Sequence, residues 1–220
     1  MKLPTIWVRG REIQIKGFTI AGGRDGIVVG RNGQAEIDSN TIQKARQTGI
    51  IVSQSSSARI TNNRIQDNGA NGIAIVQNSY AHVGVTTVAD AKTSPNTIQN
   101  NSLDGIIVGR SSSARIIGNT FTNNKGHGIA VRYVSHAEIS SSTFNGNGKD
   151  GISLYGNSGA NLGADPGTRG FYVPNSTAAN NAGFGIKCEL GGYADGQLGS
   201  LNGTKGAKSF DGACIDNLKP

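Results

Sequence analysis

Short segments of alternating apolar and polar residues recur along this chain at a regular spacing. A Gly-Ile pair marks each repeat, and successive pairs are separated by 23, 23, 33, 23, 23 and 34 residues. The pairs are Gly26-Ile27, Gly49-Ile50, Gly72-Ile73, Gly105-Ile106, Gly128-Ile129, Gly151-Ile152 and Gly185-Ile186. Two gaps exceed one period by 10 and 11 residues. The spacing therefore predicts a 23-residue unit that carries two insertions.

Each repeat contains three short apolar segments. The first has the form Gly-Ile-x-Val, as in residues 26–29, and the second begins at an alanine nine residues after the glycine, as at Ala35. The third ends in an apolar residue, such as Ile42 or Phe121. Apolar residues alternate within each segment, which is typical of β-strands, and the i, i+3, i+4 spacing of helices is absent. The pattern predicts three short strands per repeat.

A single repeat cannot bury its own Ile and Val side chains, so the repeats must stack on one another. We therefore predict an all-β fold, a single-stranded right-handed parallel β-helix (β-solenoid) with three short strands per 23-residue coil and seven to eight coils. Residues 1–190 are expected to form the β-helix, with loop insertions at 84–95 and 163–174. Residues 191–220 are expected to leave the repeat and form a C-terminal cap of the same domain.

Asparagine occupies two turn positions that keep the phase of the repeat. One column contains Asn40, Asn63, Asn96 and Asn119 and continues with Ser142, and the other contains Asn68, Asn101, Asn124 and Asn147. A stacked Asn amide donates one hydrogen bond along such a column and accepts another. We therefore predict Asn ladders with a structural role.

Composition and charge narrow the class of protein. The 220 residues include 33 glycines and only 35% hydrophobic residues, which is below the usual ~45–50% and fits a turn-rich repeat. No apolar run approaches the ~18 residues of a membrane span, so none is expected. The net charge of +7 suits an acidic polymer such as pectin, alginate or a glycosaminoglycan. The alternative is that this charge only keeps the protein soluble. A nucleic-acid partner is not expected, because no recognition motif or aromatic stacking platform is visible.

The Asn/Asp-Gly-Ile-x-Val coils, such as residues 71–75 and 150–154, and the opening segment 13–20 carry a family resemblance. Over roughly residues 6–190 the sequence resembles the right-handed parallel β-helix proteins of the pectate-lyase-like superfamily. The resemblance implies this fold and, for most characterised members, action on extracellular polysaccharides. The superfamily includes lyases, hydrolases, epimerases and non-enzymes.

No catalytic motif of the superfamily can be transferred to this chain residue by residue. The Asp-Pro-His signature of mannuronan epimerases is missing, and only Asp165-Pro166-Gly167 comes near it. The paired aspartates that polygalacturonases carry on consecutive coils are missing from the strand faces as well. Whether the chain is an enzyme therefore stays open at this point.

A candidate catalytic site lies along the first strand of each repeat. The residues that precede the Gly-Ile pairs form the column Asp25, Thr48, Asn71, Asp104, His127, Asp150 and Phe184. His127 is then expected between two carboxylates at about one strand spacing, ~5 Å. Arg132, Tyr155 and Lys187 occupy nearby outward positions. Arg132 and Lys187 would neutralise a uronate carboxylate, and Tyr155 or His127 would take the C5 proton. The alternative is that this column only caps turns.

The two insertions suggest a candidate substrate-binding cleft, because both follow the second strand of their coils. The predicted floor is Arg115 and Glu138, flanked by His82 and Asn161. The loop residues expected to reach the cleft are Asp90, Lys92, Asp165, Arg169 and Tyr172. The alternative is that these insertions have no function, since surface loops cost little stability.

Cys188 and Cys214 lie on either side of the predicted cap junction. A disulfide between them would pin the cap and indicate an oxidising compartment. The alternative is a pair of buried free thiols. No Cys/His spacing indicates zinc and no Asp-rich loop indicates Ca²⁺, so neither a metal nor a cofactor is expected.

The beginning of the chain gives a further expectation about location. Residues 1–4 lead into no apolar segment of the kind found in a signal peptide. The abrupt start inside a coil suggests a fragment of a longer chain, and the expected location is extracellular or periplasmic.

Two hypotheses follow for function. The first is an extracellular β-helix domain that binds an acidic polysaccharide, with or without processing it by lyase or epimerase chemistry. The second is a non-catalytic structural or carbohydrate-binding module of a larger surface protein. The outward residues of the first strand, such as Val28, Ile51 and Ala74, carry no reactive or charged group, which favours the second hypothesis. The sequence does not indicate an oligomeric state.

Overall fold

Three parallel β-sheets wind around one apolar core in the computed structural model, which describes residues 3–85, 93–163 and 173–220. These residues form 24 strands and no helix. Two of the sheets have nine strands each and the third has six. The chain visits the three sheets in turn, so each full coil adds one strand to each sheet. The predicted all-β solenoid is confirmed, with about nine coils instead of seven to eight.

The strands are grouped here by sheet. Sheet A contains β1 (Ile6–Val8), β4 (Ile27–Val29), β7 (Ile50–Val52), β10 (Ile73–Val76), β13 (Ile106–Gly109), β16 (Ile129–Arg132), β19 (Ile152–Tyr155), β21 (Ile186–Glu189) and β23 (Lys208–Phe210). Sheet B contains β2 (Ile13–Lys16), β5 (Gln34–Asp38), β8 (Ser57–Thr61), β11 (Tyr80–Val83), β14 (Ser113–Ile117), β17 (His136–Ser140), β20 (Gly159–Leu162), β22 (Tyr193–Gln197) and β24 (Ile215–Lys219). Sheet C contains β3 (Thr19–Ala21), β6 (Thr41–Gln43), β9 (Arg64–Gln66), β12 (Thr97–Gln99), β15 (Thr120–Thr122) and β18 (Thr143–Asn145).

The Gly-Ile pair sets the register of sheet A. Ile27 pairs with Ile50, and the isoleucines of all seven pairs are fully buried in one column. The preceding glycine is required because the next coil approaches closely. A Cβ atom added at Gly49 would lie 2.7 Å from the carbonyl oxygen of Gly72 and 2.9 Å from the Ile65 side chain. The motif thus combines a buried apolar anchor with a backbone position that has no room for a side chain.

The predicted Asn ladders are present and buried. In the first ladder the side-chain amides of Asn40, Asn63 and Asn96 donate to the Asn of the next coil, for example from Asn63 to Asn96 at 3.0 Å and from Asn96 to Asn119 at 2.9 Å. In the second ladder Asn101 donates to Asn124 at 2.9 Å. A further ladder is formed by the serines Ser56, Ser79, Ser112, Ser135 and Ser158, whose hydroxyls accept backbone N–H groups from the preceding coil. These ladders satisfy backbone groups that the turns leave without partners.

The C-terminal segment continues the stack after the last Gly-Ile pair. Residues 191–220 were expected to leave the repeat, yet β22, β23 and β24 extend sheets A and B in parallel register. Among the described residues, sheet C ends at β18 and is followed by single bridges, such as the one between Ser176 and Ser200. A disulfide joins Cys188 of β21 to Cys214, with their Cα atoms 6.2 Å apart. That this segment acts as a cap stays a prediction.

Candidate functional site

A groove of about 440 Å³ crosses the outer face of sheet A over its later coils. All four catalytic candidates, His127, Arg132, Tyr155 and Lys187, line this one groove. The structure therefore brings together side chains that lie up to 60 residues apart in the sequence. Their catalytic roles stay predictions.

The register of three neighbouring strands places these side chains. Arg132 and Tyr155 are paired residues at the ends of β16 and β19, about one strand spacing of ~5 Å apart. Lys187 pairs with Ser153 in the middle of the outer face. Ser153 has a short side chain and therefore forms part of the floor of the groove, between the longer side chains of the other lining residues. The Tyr155 ring meets the ring of Tyr133 edge-on, with centroids 6.0 Å apart.

The column that precedes the Gly-Ile pairs forms its own hydrogen-bond ladder. The Asp104 carboxylate accepts the backbone N–H of His127 at 2.8 Å, and the Asp150 carboxylate accepts that of Phe184 at 2.7 Å. Between them, the backbone N–H of Asp150 donates to Nδ1 of His127 at 3.3 Å. Asp104, His127 and Asp150 are all buried. The side chains of this column thus accept backbone N–H groups, as turn caps do. Each of them caps the next coil, however, and not its own turn.

The His127 ring also lies against the carboxylate that follows it in the column. Nδ1 of His127 is 3.2 Å from Oδ2 of Asp150. Burial by itself raises the pKa of Asp150, but the hydrogen bonds from His127 and from the Phe184 N–H outweigh it, helped by the charge of Lys187. The pKa of Asp150 is therefore below its ordinary value. Asp150 stays a carboxylate at neutral pH.

The cations of the groove have acidic neighbours but remain accessible. Arg132 lies 3.5 Å from Asp104, and Lys187 lies 2.8 Å from Glu189. The hydrogen bond with Glu189 raises the pKa of Lys187, and the charges of Glu189 and Asp150 add to this rise against a smaller opposing effect of burial. Lys187 is therefore a permanent cation at neutral pH, suited to neutralising an anion and not to acting as a base.

Several groove residues were missed by the sequence analysis. They are Tyr133, Lys149, Glu189 and Lys205. Asp150 and Phe184 also line the groove, and the sequence analysis named both as members of the column before the Gly-Ile pairs. Lys149 directly precedes Asp150 in the sequence, and Asp150 belongs to the column before the Gly-Ile pairs. The repeat could therefore have placed Lys149 next to the site. Lys205 belongs to the C-terminal segment, which has no Gly-Ile pair to fix its register. The lining side chains contribute four cations, Arg132, Lys149, Lys187 and Lys205, and two acids, Asp150 and Glu189.

The predicted cleft on sheet B is only partly within the described residues. His82, Arg115 and Glu138 are paired neighbours along one outward column of sheet B. Arg115 is 4% exposed, and its Nε lies 3.1 Å from Oε2 of Glu138. Asp165, Arg169 and Tyr172 lie outside the described residues, as do Asp90 and Lys92 of the first insertion. A substrate-binding role for this set stays a prediction.

Within residues 3–85, 93–163 and 173–220, no cluster of three or more His, Cys, Asp or Glu side chains is arranged to hold a metal ion. The same residues include no helix with the length and apolar character needed to cross a membrane.

Comparison with known proteins identifies the class. The family model described as "Right handed beta helix region" matches residues 4–95 and 81–198. The chain therefore belongs to this family, which confirms the resemblance found in the sequence. A search of curated protein sequences gives no match.

The solved structure of AlgG shows the same architecture. The periplasmic alginate epimerase AlgG superposes with a TM-score of 0.59 at 20% identity, over 96% of this chain and 45% of the AlgG chain. The A-module of the mannuronan C-5 epimerase AlgE4 from Azotobacter vinelandii gives a TM-score of 0.47 at 11% identity, over 96% of this chain and 62% of that chain. The chain thus spans less than half the length of AlgG. At this level of identity the similarity with AlgG concerns the fold.

Proposed function

We propose that this protein binds an acidic polysaccharide in the groove on sheet A. The observation that carries the proposal is the convergence of Arg132, Lys149, Lys187 and Lys205 on one open groove, where cations outnumber acids four to two. Asp150 is engaged by His127 and by the Phe184 backbone. The excess positive charge is therefore available to a ligand that carries carboxylates. AlgG, which has the same fold, is described as an alginate epimerase, and alginate is such a polymer.

The groove also contains the groups that C5 chemistry on a uronate needs. Arg132 or Lys187 would neutralise the carboxylate, which makes the C5 proton easier to remove. Tyr155 or His127 would accept this proton as the C5–H bond breaks. Return of a proton to C5 on the opposite face gives epimerisation. In elimination the C4–C5 double bond forms as the C4–O4 bond breaks, and the departing O4 takes up a proton, so that the proton lost from C5 is balanced. Both routes conserve atoms and charge without an added oxidant or reductant.

A specific observation favours the alternative of a non-catalytic binding module. His127 and Asp150 are buried and take part in the ladder that joins successive coils, so their side chains already have a structural task. The chain also lacks the Asp-Pro-His signature of mannuronan epimerases. Turnover therefore has to be tested separately from binding.

Affinity electrophoresis tests binding, with gels that contain alginate, pectate, a glycosaminoglycan or a neutral glucan, each run at low and at raised salt. We expect retardation by at least one acidic polymer, and about tenfold weaker binding of that polymer by Arg132→Gln and by Lys187→Gln. The matched control is Arg64→Gln, which removes the same charge from the exposed face of sheet C. Equal losses in all three variants would mean that only net charge matters and would contradict a specific groove.

Turnover is measured on the polymer that binds. Unsaturated uronate absorbance detects elimination, and deuterium uptake at C5 from heavy water, followed by NMR, detects epimerisation. Loss of turnover in Tyr155→Phe with retained binding would support catalysis. Binding with neither signal would support the non-catalytic module.

The proposed location is extracellular or periplasmic. The Cys188–Cys214 disulfide supports it, because such bonds persist in oxidising compartments. Acidic polysaccharides of this kind are also encountered there. Thiol titration of protein isolated under alkylating conditions tests this point, and two free thiols per chain would contradict it.

A further inference from the structure

A second cavity lies on a different face of the molecule, on sheet B near its N-terminal end. Its volume is about 450 Å³, within the range of small-ligand sites. Tyr80 and His82 form one end, and Glu12, Gln14 and Gln34 line the rest together with Glu36, Ser57, Ala58 and Arg59. It shares no lining residue with the groove on sheet A.

The charges of this cavity differ from those of the groove. Glu36 accepts hydrogen bonds from Gln14 at 3.0 Å and from Arg59 at 2.8 Å, so both of its carboxylate oxygens are engaged within the protein. Glu12 adds a further negative charge to the lining. With His82 neutral, the lining therefore carries one more acid than cation. An acidic polymer would gain no attraction here, whereas a ligand with hydroxyl groups finds amides, carboxylates and a guanidinium to bind.

Tyr80 supplies an exposed aromatic surface next to these polar groups. Its ring is 40% exposed and is fixed by an edge-on contact with the His82 ring, with centroids 5.0 Å apart. The residue paired with Tyr80 in β8 is the short Ser57, which leaves the depression beside the ring. Burial and the charge of Glu138 raise the pKa of Tyr80, so its hydroxyl stays neutral. An aromatic face beside hydrogen-bonding groups matches a sugar ring, which has an apolar C–H face and a rim of hydroxyls.

Aromatic rings recur along the same outward column of sheet B. Ser113, His136, Gly159 and Tyr193 follow Tyr80 in register. The strands that carry the rings are therefore two coils, ~10 Å, apart, and the residues of the intervening strands are short. The Tyr193 ring leans toward His136, so that these two ring centroids lie 6.0 Å apart. The Tyr193 ring lies across Gly159, where an added Cβ would come within 2.1 Å of it, and the Tyr193 hydroxyl meets Nδ1 of His136 at 3.0 Å.

The histidine of the second ring pair, His136, has a lowered pKa. Burial lowers the pKa of His136, and the nearby Glu138 only partly opposes this effect. The column from Tyr80 to Tyr193 thus combines rings with short residues on a face where two charged pairs are formed, by Arg59 with Glu36 and by Arg115 with Glu138.

We propose that this column is a second glycan-binding surface, which begins at the cavity beside Tyr80 and takes uncharged sugar units. This second surface goes beyond the proposed function, because the acidic polymer would occupy the groove on sheet A and the neutral sugar units would occupy the column on sheet B. One molecule would then hold an acidic chain on one face and a neutral chain on another.

Affinity electrophoresis in gels of a soluble neutral β-glucan and of a galactomannan tests the proposal. We expect retardation of the wild-type protein by at least one of these gels, unchanged by raised salt. Tyr80→Ala should weaken that binding about tenfold, whereas Tyr80→Phe should keep most of it because the ring remains. The matched control is Phe18→Ala, an exposed ring outside both sites, which should bind as the wild type does. Melting curves check that each variant is folded.

The outcomes are separable from those of the groove on sheet A. Tyr80→Ala should leave retardation by the acidic polymer unchanged. Wild-type protein that neither neutral gel retards would overturn the second surface, as would a Tyr80→Ala variant that binds the neutral glycan like the wild type. Either result leaves the test with Arg132→Gln and Lys187→Gln unaffected.

Discussion

Nδ1 of His127 has two partners that belong to the same residue of the next coil. The backbone N–H of Asp150 donates to it at 3.3 Å, and the Asp150 carboxylate lies 3.2 Å away. A neutral ring with its lone pair on Nδ1 suits the N–H donor, whereas a protonated Nδ1 suits the carboxylate. In either arrangement the ring is held to Asp150 of the next coil. This contact would serve a proton acceptor and a purely structural ladder equally well.

The lowered pKa of Asp150 predicts a pH-dependent contribution to stability. Because the pKa of this carboxyl is lower in the folded protein than in the unfolded chain, its ionised form stabilises the fold above the unfolded pKa, and the contribution disappears as pH falls through the folded pKa. The difference in unfolding free energy between the wild type and Asp150→Asn should thus shrink when pH is lowered from about 6 to about 3. Urea unfolding at both pH values measures it.

A matched variant separates this effect from general acid destabilisation. Asp67→Asn removes the same charge from an exposed turn, and its difference from the wild type should change less between the two pH values. A difference for Asp150→Asn that grows toward low pH would contradict the assigned direction of the pKa shift.

The turn that presents Tyr133 to the groove on sheet A holds a valine in the left-handed region. Val134 has φ 58°, and it occupies the turn position at which Asn32, Ser55, Asn78 and Ser111 have similar angles. A β-branched residue is unfavourable in this conformation by ~1–2 kcal/mol, whereas Asn tolerates it. Because Val134 is 65% exposed, replacing it removes little packing. Val134→Asn should therefore raise stability by ~1 kcal/mol.

The reciprocal substitution is the control for this prediction. Asn78→Val places valine at the matching turn position of another coil, with φ 59°, and should lower stability by a similar amount. Thermal and urea unfolding of both variants measure the changes. A Val134→Asn variant that is no more stable than the wild type would show that the valine is not strained there.

The disulfide should stabilise the end of the solenoid. Cys188 and Cys214 are separated by 26 positions in the sequence, and closing a loop of this size is worth ~3 kcal/mol in the unfolded-chain model. The double variant Cys188→Ala, Cys214→Ala should lose about this much unfolding free energy. Hydrogen exchange should accelerate mainly in β23 and β24, which lie at the end of the stack. Uniformly faster exchange in all coils would contradict a local role.

The repeat made the fold predictable because one motif fixes several features at once. Gly49-Ile50 indicates the period, the buried face and the close approach of the next coil. The serine ladder was equally accessible, since Ser56, Ser79, Ser112, Ser135 and Ser158 keep the same phase, but the sequence analysis did not use it.

The site was predictable only where the repeat extends. Arg132, Tyr155 and Lys187 could be placed on one face, and His127 in the turn beside it, because each has a fixed distance to a Gly-Ile pair. Lys205 has no such reference, so its arrival in the groove depends on the path of the C-terminal segment. Charge pairing across coils, such as that of Arg115 with Glu138, depends on side-chain rotamers, which strand periodicity does not specify.

The Asn ladders should be the most sensitive polar elements of the core. Asn101 is fully buried, accepts two hydrogen bonds from Asn68 and donates to Asn124 and to the Ile65 carbonyl. Asn101→Ala leaves these groups buried without partners and should cost ~4 kcal/mol of unfolding free energy. The matched control is Asn217→Ala in the exposed strand β24, which should cost less than ~1 kcal/mol. Urea unfolding followed by circular dichroism measures both, and equal losses would show that the ladder adds nothing beyond the side chain itself.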